Sequence, residues 1–339
     1  MKMKSSYSKN QGCRLAVGEK FLGKWHKNPY RVIRKLGEGA NGTVYLAESK
    51  QGQVALKVGL DQMSITSEVN VLKHFSKVQS QMLGPSLFDV DDLTHGNKTF
   101  PFYVMEYLKG PCLLDFMSAR GVEWLGLLMV QLLGDLERLH RSGWVFGDLK
   151  PDNMIVVGPP ARIRLLDVGG TTLIGRSIKE FTEFYDRGYW GLGTRKAESS
   201  YDLFAVAMIM INCVYPKRFE KQGEKPLVFL KRQIERKPIL SPFKHVLLKA
   251  LQGKYDDAQL MKNDMLKALS KGLEVKAPPK SQTSSQQMKR SRKKSSSSSY
   301  AKESKSRRRE KKQGYFVEIF LLSSFLLLLY ILYLFGQMM

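Results

Sequence analysis

Cysteine is scarce in this chain of 339 residues, and its three cysteines lie far apart. Cys13, Cys112 and Cys213 lack the short spacings typical of metal ligands, so the sequence predicts neither a disulfide framework nor a zinc site. The basic N-terminus is not followed by an apolar run, so it does not resemble a signal peptide. A reducing cytosol is therefore the expected environment.

Acidic residues are also few, since 31 Asp and Glu stand against 55 Lys and Arg, for a formal net charge of +24. The excess is uneven. Residues 276–312 hold 14 Lys or Arg and two Glu, a net charge of +12 and half of the total. Apart from this stretch the chain is only mildly basic, and its 43% hydrophobic content is typical of a globular protein.

The composition divides the chain into five parts. Residues 1–29 are polar and basic and are expected to form a loose arm, whereas residues 30–271 have the texture of a folded domain. Residues 272–314 are rich in Lys, Arg, Ser and Gln and are predicted to be a disordered linker. Residues 315–335 are predicted to form a transmembrane helix, followed by an external tail at 336–339.

The predicted span carries one charge, Glu318, and 20 apolar or weakly polar residues of helix cover roughly the 30 Å of a bilayer core. The alternative, a buried core helix, fits poorly beside a polar linker. Positive charges stand before the span and none follow it. Because Lys and Arg near a span stay cytoplasmic, the expected location is a single-pass, C-terminally anchored protein of the cell membrane with its folded domain in the cytosol.

The first part of the folded domain contains β-branched runs separated by glycine-containing turns, which predict strand, turn, strand, turn, strand. Gly37-x-Gly39-x-x-Gly42-x-Val44 occupies the first turn. Glycines there let backbone N–H groups approach phosphate, and a hairpin rather than a strand-to-helix turn favours a lid over phosphates.

A lysine and a glutamate follow this hairpin. Lys57 ends the apolar strand Val54-Ala55-Leu56, where an unpaired ammonium would be costly to bury. Glu68, 11 residues later on a predicted helix, is the expected ion-pair partner. The pair would hold Lys57 toward nucleotide phosphates, although a lone lysine at such a position is more often a surface residue.

A second group of polar residues lies in VFGDLKPDN, residues 145–153. Asp148, Lys150 and Asn153 share this stretch, and Asp167-Val168-Gly169 begins 19 residues after Asp148. Phosphoryl transfer needs a carboxylate for the attacking hydroxyl, a cation near the moving phosphoryl group and oxygen ligands for magnesium. Asp148, Lys150, and the pair Asn153 and Asp167 match these roles in turn.

With these motifs in order, residues 30–271 resemble a Hanks-type (eukaryotic-like) serine/threonine protein kinase. The resemblance implies an α+β bilobal fold, with a β-rich N-lobe (30–105) and a helical C-lobe (106–271). It also implies ATP and Mg²⁺ or Mn²⁺ as cofactors, protein substrates, catalytic Asp148 and Lys150, and metal ligands Asn153 and Asp167. The implied ATP-binding residues are Gly37, Glu38, Gly39, Ala40, Asn41, Gly42, Val44, Ala55, Lys57, Glu68, Met105, Glu106 and Leu108.

Two further features follow from the resemblance. Asp202 is similar to the residue that braces the catalytic loop from a large C-lobe helix, and Lys150 suggests Ser or Thr as the acceptor. The layout of kinase domain, basic linker and C-terminal span resembles the membrane-anchored sporulation kinases of bacilli.

The chain departs from the family in four places. Phe146 and Gly147 stand where the catalytic loop has His and Arg, Val168 replaces a Phe, and YDRGYWGLG (185–193) replaces an A-P-E segment. The apolar replacements are expected to keep the packing. Gly147 removes the usual partner of a phosphorylated activation loop, so phosphate on Thr171, Thr172, Ser177 or Thr182 would lack that contact. We therefore expect an active kinase whose switch lies elsewhere.

The basic linker is the first candidate for that switch. Its charges are expected to set membrane topology and to contact anionic headgroups. They also suit non-specific binding of DNA, which would gather kinases for trans-autophosphorylation through self-association. The candidate polyanion-binding residues are Lys289, Arg290, Arg292, Lys293, Lys294, Arg307, Arg308, Arg309, Lys311 and Lys312.

Three functions remain open at this stage. The first is a membrane-anchored serine/threonine protein kinase that also phosphorylates itself. The second is a small-molecule kinase of the same fold, suggested by the missing A-P-E segment and the short interval between Lys57 and Glu68. The third is a catalytically weak nucleic-acid tether, which the complete set of phosphate-site residues disfavours.

Overall fold

The glycine-punctuated first part of the chain forms an antiparallel sheet with a helix packed on it. The computed structural model describes residues 13–39, 41–77, 83–118 and 120–274. The elements of this part are β1 (Lys20–Leu22), β2 (Pro29–Gly39), β3 (Gly42–Ser49), β4 (Gly52–Gly59), α1 (Gln62–Lys77), β5 (Leu87–His95) and β6 (Lys98–Glu106). The strand order of the sheet is β1-β2-β3-β4-β6-β5.

The N-lobe begins before the predicted boundary at residue 30. Strand β1 pairs with β2, and Cys13 and Leu15 are only 4% and 7% exposed. The backbone N–H of Leu15 donates to the hydroxyl of Tyr45 at 3.1 Å. The prediction of a loose arm over residues 1–29 is therefore wrong from Cys13 onward. The sequence did not reveal this burial, because the few apolar residues of this segment stand among basic ones without a helical or strand-like spacing. They are buried only because the sheet lies beside them.

The rest of the described chain is mainly helical, so the predicted α+β bilobal architecture is confirmed. Its helices are α2 (Leu113–Met117), α3 (Val122–Arg141), α4 (Arg187–Trp190), α5 (Ser199–Val214), α6 (Pro226–Glu235), α7 (Lys244–Leu251) and α8 (Ala258–Glu274). Two small antiparallel pairs are β7 (Trp144–Val145) with β10 (Thr172–Leu173), and β8 (Met154–Val157) with β9 (Arg162–Leu165).

Helix α5 is the centre of the C-lobe. Every residue from Tyr201 to Asn212 is buried, as expected for a helix that is apolar on all sides. Helix α3 packs closely against α8, and a Cβ atom added at Gly126 would lie 2.3 Å from a methyl group of Leu269. Glycine at this position lets the two helices approach each other.

The helical spacing of apolar residues over 240–270 covers two helices in the structure. Helix α7 ends at Leu251 and α8 begins at Ala258. Gly253 adopts a left-handed φ of 66°, which ends a helix at little steric cost. The helical spacing of apolar residues continues through the break, so periodicity alone did not locate it. Helix α8 also extends three residues beyond the predicted domain end at residue 271.

Several predictions fall outside the described residues. They concern the arm at 1–12, Ala40 of the glycine loop, the linker from residue 275, the span at 315–335, the tail, and all ten candidate polyanion-binding residues. Within the part of the chain that the structure describes, no helix combines the length and the hydrophobicity needed to cross a membrane.

Candidate active site

A cleft of about 570 Å³ lies between the N-lobe sheet and the catalytic loop. The four residues predicted for catalysis and metal binding, Asp148, Lys150, Asn153 and Asp167, all line it. The predicted ATP-binding residues that line it are Gly37, Glu38, Gly39, Asn41, Gly42, Val44, Ala55, Lys57, Met105, Glu106 and Leu108. The lining residues that sequence reasoning missed are Leu36, Pro85, Tyr103, Gly110, Ile155, Leu166 and Glu180.

The glycine loop is the turn of the β2–β3 hairpin, as the motif predicts. Gly39 pairs with Gly42 at its tip. Gly42 has a φ of 149°, and a Cβ atom there would lie 2.2 Å from the carbonyl oxygen of Val58. Only glycine fits this close contact between neighbouring strands. The amide Nδ2 of Asn41 donates to Glu180 Oε1 at 2.9 Å, so the loop contacts the segment that follows Asp167.

The predicted pair of Lys57 and Glu68 is formed and buried. Lys57 Nζ lies 2.7 and 2.6 Å from the two carboxylate oxygens of Glu68, and their side chains are 8% and 3% exposed. The Tyr103 hydroxyl donates to the same carboxylate at 2.7 Å. Burial raises the pKa of Glu68, against the opposing effects of Lys57 and Tyr103. Lys57 Nζ also lies 4.0 Å from Asp167 Oδ1, so helix α1 holds the ammonium at the edge of the cleft.

The catalytic loop is fastened to helix α5 by a buried carboxylate. Asp202, fully buried, accepts the backbone N–H of Phe146 at 2.8 Å and that of Gly147 at 2.9 Å. His140 Nε2 lies 2.9 Å from the same carboxylate. The bracing role that the resemblance implies for Asp202 is therefore present. His140 was missed because a lone histidine near a helix end carries no signal of its own.

Asp148 has the surroundings of a catalytic base. It is 8% exposed and pairs with the ammonium of Lys150. Thr182 donates its hydroxyl to Asp148 Oδ1 at 3.3 Å and accepts from Lys150 Nζ at 3.3 Å. Burial raises the pKa of Asp148; hydrogen bonds from Lys150 and Thr182 oppose this effect, and the nearby charge of Glu180 adds to it. The arrangement suits a carboxylate that orients a hydroxyl and accepts its proton.

Asn153 and Asp167 supply oxygen atoms on the same side of the cleft. The carbonyl oxygen of Asn153 accepts the backbone N–H of Leu166 at 2.8 Å, which ties the catalytic loop to the residue before Asp167. The Asp167 side chain is 48% exposed, and the Asn153 side chain is half-buried. Amide and carboxylate oxygens open to the cleft are the ligands that hard divalent cations prefer, so these residues fit such a metal.

The apolar replacements keep the core packed, as the sequence predicts. Phe146 and Val168 are 0% and 2% exposed and belong to the main hydrophobic core. The two replacements therefore change the identity of core residues next to the catalytic aspartates without removing any group that faces the cleft.

The segment without A-P-E is ordered by buried charges. Asp186 accepts two backbone N–H groups of α4, and its carboxylate also contacts Arg195 at 2.7 Å and the Tyr201 hydroxyl at 3.0 Å. The buried guanidinium of Arg187 pairs with Glu198 at 2.6 Å. Sequence reasoning missed this network, because its members are spread over residues 186–201 and meet only in the fold.

An ion pair at the edge of the cleft, between Glu106 and Arg164, was also missed. Glu106 Oε2 lies 2.9 Å from a guanidinium nitrogen of Arg164 on β9, and the Ser86 N–H donates to it at 3.2 Å. Burial opposes ionisation of Glu106, yet the hydrogen bonds from Arg164 and Ser86 outweigh it and lower the pKa. Strand β9 reads Arg-Ile-Arg-Leu, the ordinary alternation of a half-exposed strand, so no signal in the sequence marked Arg164 as buried.

Comparison with known proteins identifies the family of the chain. The model of the protein kinase domain matches residues 30–295. The chain is 58% identical over 271 residues to serine/threonine-protein kinase YabT of Bacillus subtilis. This alignment covers 79% of this chain and 80% of YabT. It is 24% identical over 205 residues to the kinase PrkC of the same organism, and 28% identical over 176 residues to serine/threonine-protein kinase A of Synechocystis. These two matches span 31% and 34% of the relatives' length.

The chain belongs to the protein kinase family, whose model covers most of the chain. More narrowly, it is an ATP-dependent serine/threonine protein kinase of the bacterial Hanks type, similar to YabT.

Proposed function

We propose that this kinase is anchored in the cell membrane and transfers the γ-phosphate of ATP to serine or threonine hydroxyls of proteins, itself included. The observation that carries the catalytic part is the hydrogen-bonded set formed by buried Asp148 with the half-buried Lys150 and Thr182 beside the cleft. Asn153 and Asp167 would hold Mg²⁺, which would supply positive charge to offset that of the ATP phosphates.

Each residue of the site has its own role in the transfer of the phosphoryl group. The substrate oxygen forms a bond to the γ-phosphorus while the bond from that phosphorus to the bridging oxygen of ADP breaks. Asp148 accepts the proton of the attacking hydroxyl, and Lys150 lies beside it as a positive charge for the moving phosphoryl group. Lys57 holds the α- and β-phosphates, and Glu68 fixes its position.

The test of catalysis is transfer of labelled phosphate from ATP by the full-length protein. Asp148→Ala and Lys57→Ala should each abolish labelling of the kinase and of a generic protein substrate. Asp152→Ala is the matched control, because Asp152 lies on the same loop with a side chain that is 58% exposed and paired with Arg218. Equal labelling by wild type and both cleft variants would refute the assignment. Label that is found in a small-molecule product, and not in the protein precipitated by acid, would favour a small-molecule kinase instead.

Anchoring is supported by the apolar run at 316–335 and by the positive charges that precede it. Leu326 and Leu329 lie near the middle of the run. An arginine at the middle of a span costs about 3 kcal/mol, so the double change Leu326→Arg with Leu329→Arg should prevent stable insertion. The wild-type kinase is expected to stay with membranes after an alkaline wash. Release of the wild type by that wash would contradict the proposal.

Regulation by DNA is the finer part of the proposal. The ten candidate polyanion-binding residues, which lie in the two linker clusters at 289–294 and 305–312, offer a dense charge that releases counterions on binding a duplex. Several anchored kinases on one polymer would meet more often and phosphorylate each other. The same charges would also bind anionic lipid, at about 1 kcal/mol per residue near the surface.

The test of regulation uses the full-length protein in detergent micelles with duplex DNA, with anionic vesicles, and with neither. We expect DNA to stimulate autophosphorylation, and the stimulation to fade as salt rises. Changing the ten linker residues to glutamine should abolish the effect while leaving the basal rate unchanged. Stimulation that survives this change would contradict the proposal, and stimulation by vesicles alone would assign the linker to lipid.

A further inference from the structure

The place of the missing catalytic-loop arginine is filled by another part of the chain. Gly147 has a left-handed φ of 84°, and a Cβ atom there would lie 2.8 Å from the carbonyl oxygen of Gly170 and 3.3 Å from Ile178 Cδ1. Both neighbours belong to the activation segment, defined here as residues 167–190. No room exists at Gly147 for a larger side chain while Ile178 keeps its position.

Ile178 is an apolar anchor of this segment. It is 8% exposed and packs in a small cluster with Val145, Ala197 and Tyr201. Both of its chain neighbours, Ser177 and Lys179, are exposed. The cluster joins the activation segment to the strand before the catalytic loop and to the start of helix α5.

A short backbone ladder supports the same anchor. Gly175 N–H donates to the carbonyl oxygen of Ala197 at 2.8 Å, and Ala197 N–H donates to that of Arg176 at 2.7 Å. Ile178 N–H donates to the carbonyl oxygen of Arg195 at 2.9 Å. The activation segment is therefore paired with residues 195–197 by groups that need no phosphate.

The anchor is coupled to both halves of the active site. Thr182, four residues after Ile178, donates to Asp148 Oδ1 at 3.3 Å. Lys179 Nζ lies 3.3 Å from the carbonyl oxygen of Thr171 and 3.5 Å from Ser67 Oγ, which immediately precedes Glu68 on helix α1. A segment held at Ile178 thus contacts the catalytic base on one side and the helix that positions Lys57 on the other.

The segment offers few hydroxyls to a phosphorylating enzyme. Of its four Ser and Thr residues, Thr171 and Thr172 are buried, and Thr182 is bonded to the catalytic base. Ser177 is the remaining one, and its side chain is exposed. Ser177 is next to Ile178 but points away from the apolar cluster, since it is exposed while Ile178 is buried.

We propose that Ile178 is a positioning residue that replaces the contact between a phosphorylated activation segment and an arginine. Its apolar contacts and the backbone ladder hold the activation segment in its productive arrangement without phosphorylation. Ile178 acts through Thr182 on Asp148 and through Lys179 on helix α1. The proposal rests on the kinase activity alone and is independent of the membrane anchor and of DNA.

The experiment compares variants of the full-length kinase by kcat and by KM for ATP on a peptide substrate. Ile178→Asp should lower kcat by about 100-fold, the order of loss that a small misplacement of reacting groups causes, with KM for ATP changed by less than about threefold. Ile178→Val should keep near-normal kcat. Ile174→Asp is the matched control on the same segment, because Ile174 is 45% exposed, and its kinetics should be unchanged.

Three further measurements do not depend on the folding of Ile178→Asp. Wild-type kinase treated with a broad phosphatase should keep its initial rate, and so should Ser177→Ala. Ile178→Ala removes packing without burying a charge and should lower kcat with little change in KM. The proposal would be overturned if Ile178→Ala kept the kcat of the wild type. It would also be overturned if phosphatase treatment or Ser177→Ala lowered the initial rate by more than about tenfold. Loss of all label in Asp148→Ala remains the separate test of catalysis.

Discussion

The negative charge of Glu68 should contribute more to the stability and activity of this kinase than the charge of any half-exposed acidic residue. The change Glu68→Gln tests this. The change keeps the size of the side chain and its capacity to accept a hydrogen bond from Tyr103. It removes the negative charge from a pair whose members, Lys57 and Glu68, are 8% and 3% exposed. The ammonium of Lys57 then stays buried without its main counter-ion.

The magnitude follows from the burial. Breaking a buried ion pair by removing one partner costs about 3 to 5 kcal/mol, because the remaining charge is uncompensated. Lys57 has a second carboxylate 4.0 Å away, on Asp167, so the low end of that range, about 3 kcal/mol, is expected. For a domain of this size each kcal/mol lowers Tm by about 2 to 4 °C, giving a fall of roughly 6 to 12 °C.

The assay is thermal unfolding of the full-length kinase together with kcat/KM for ATP. Glu68→Gln should also lower kcat/KM by about 100-fold, because Lys57 would no longer be held toward the phosphates. Glu48→Gln is the control, since its pair with Arg31 is 51% exposed on both sides and should contribute less than about 1 kcal/mol. Equal values of Tm and kcat/KM in the two variants would refute the reasoning.

Three other changes test the neighbourhood of the catalytic loop. Gly147→Arg should not create phosphate-dependent activation. It should lower the free energy of unfolding by about 1 to 2 kcal/mol, because the left-handed backbone and the close carbonyl oxygen disfavour any side chain. A variant that is more stable and is activated by phosphate would contradict this. Asp202→Asn leaves one buried N–H group without its acceptor, so we expect a loss of about 1 to 3 kcal/mol in chemical denaturation and a lower kcat. Because burial, with a contribution from Glu180, raises the pKa of Asp148, the carboxylate protonates at higher pH than an ordinary aspartate. Glu180→Gln should therefore move the acid limb of the kcat/KM profile to lower pH, and a shift to higher pH would refute this sign.

Much of the site was predictable because its residues are close in sequence or separated by regular elements. Gly37 to Val44 form one hairpin turn, and Asp148 to Asn153 form one loop, so local spacing brings their polar groups together. Lys57 required a partner once its strand was recognised as apolar. The predicted Glu68 is that partner, because the next helix packs against the same sheet.

Other contacts were not predictable from spacing. Arg164 and Glu106 are 58 residues apart, and Thr182 and Asp148 are 34 apart, so only the packing of the two lobes and the path of the activation segment bring them together. The buried start of the N-lobe, at Cys13, was missed for a similar reason: its apolar residues have no period of their own.

The sequence by itself determined the class of enzyme, since the chemistry of phosphoryl transfer demands particular side chains in a set order and these are present. It also showed that the phosphate-reading arginine is absent at Gly147. The tertiary structure alone decided what stands in its place. Ile178 reaches the catalytic loop because a backbone ladder between distant residues brings it there, and no local pattern in an apolar side chain reveals which surface it will cover.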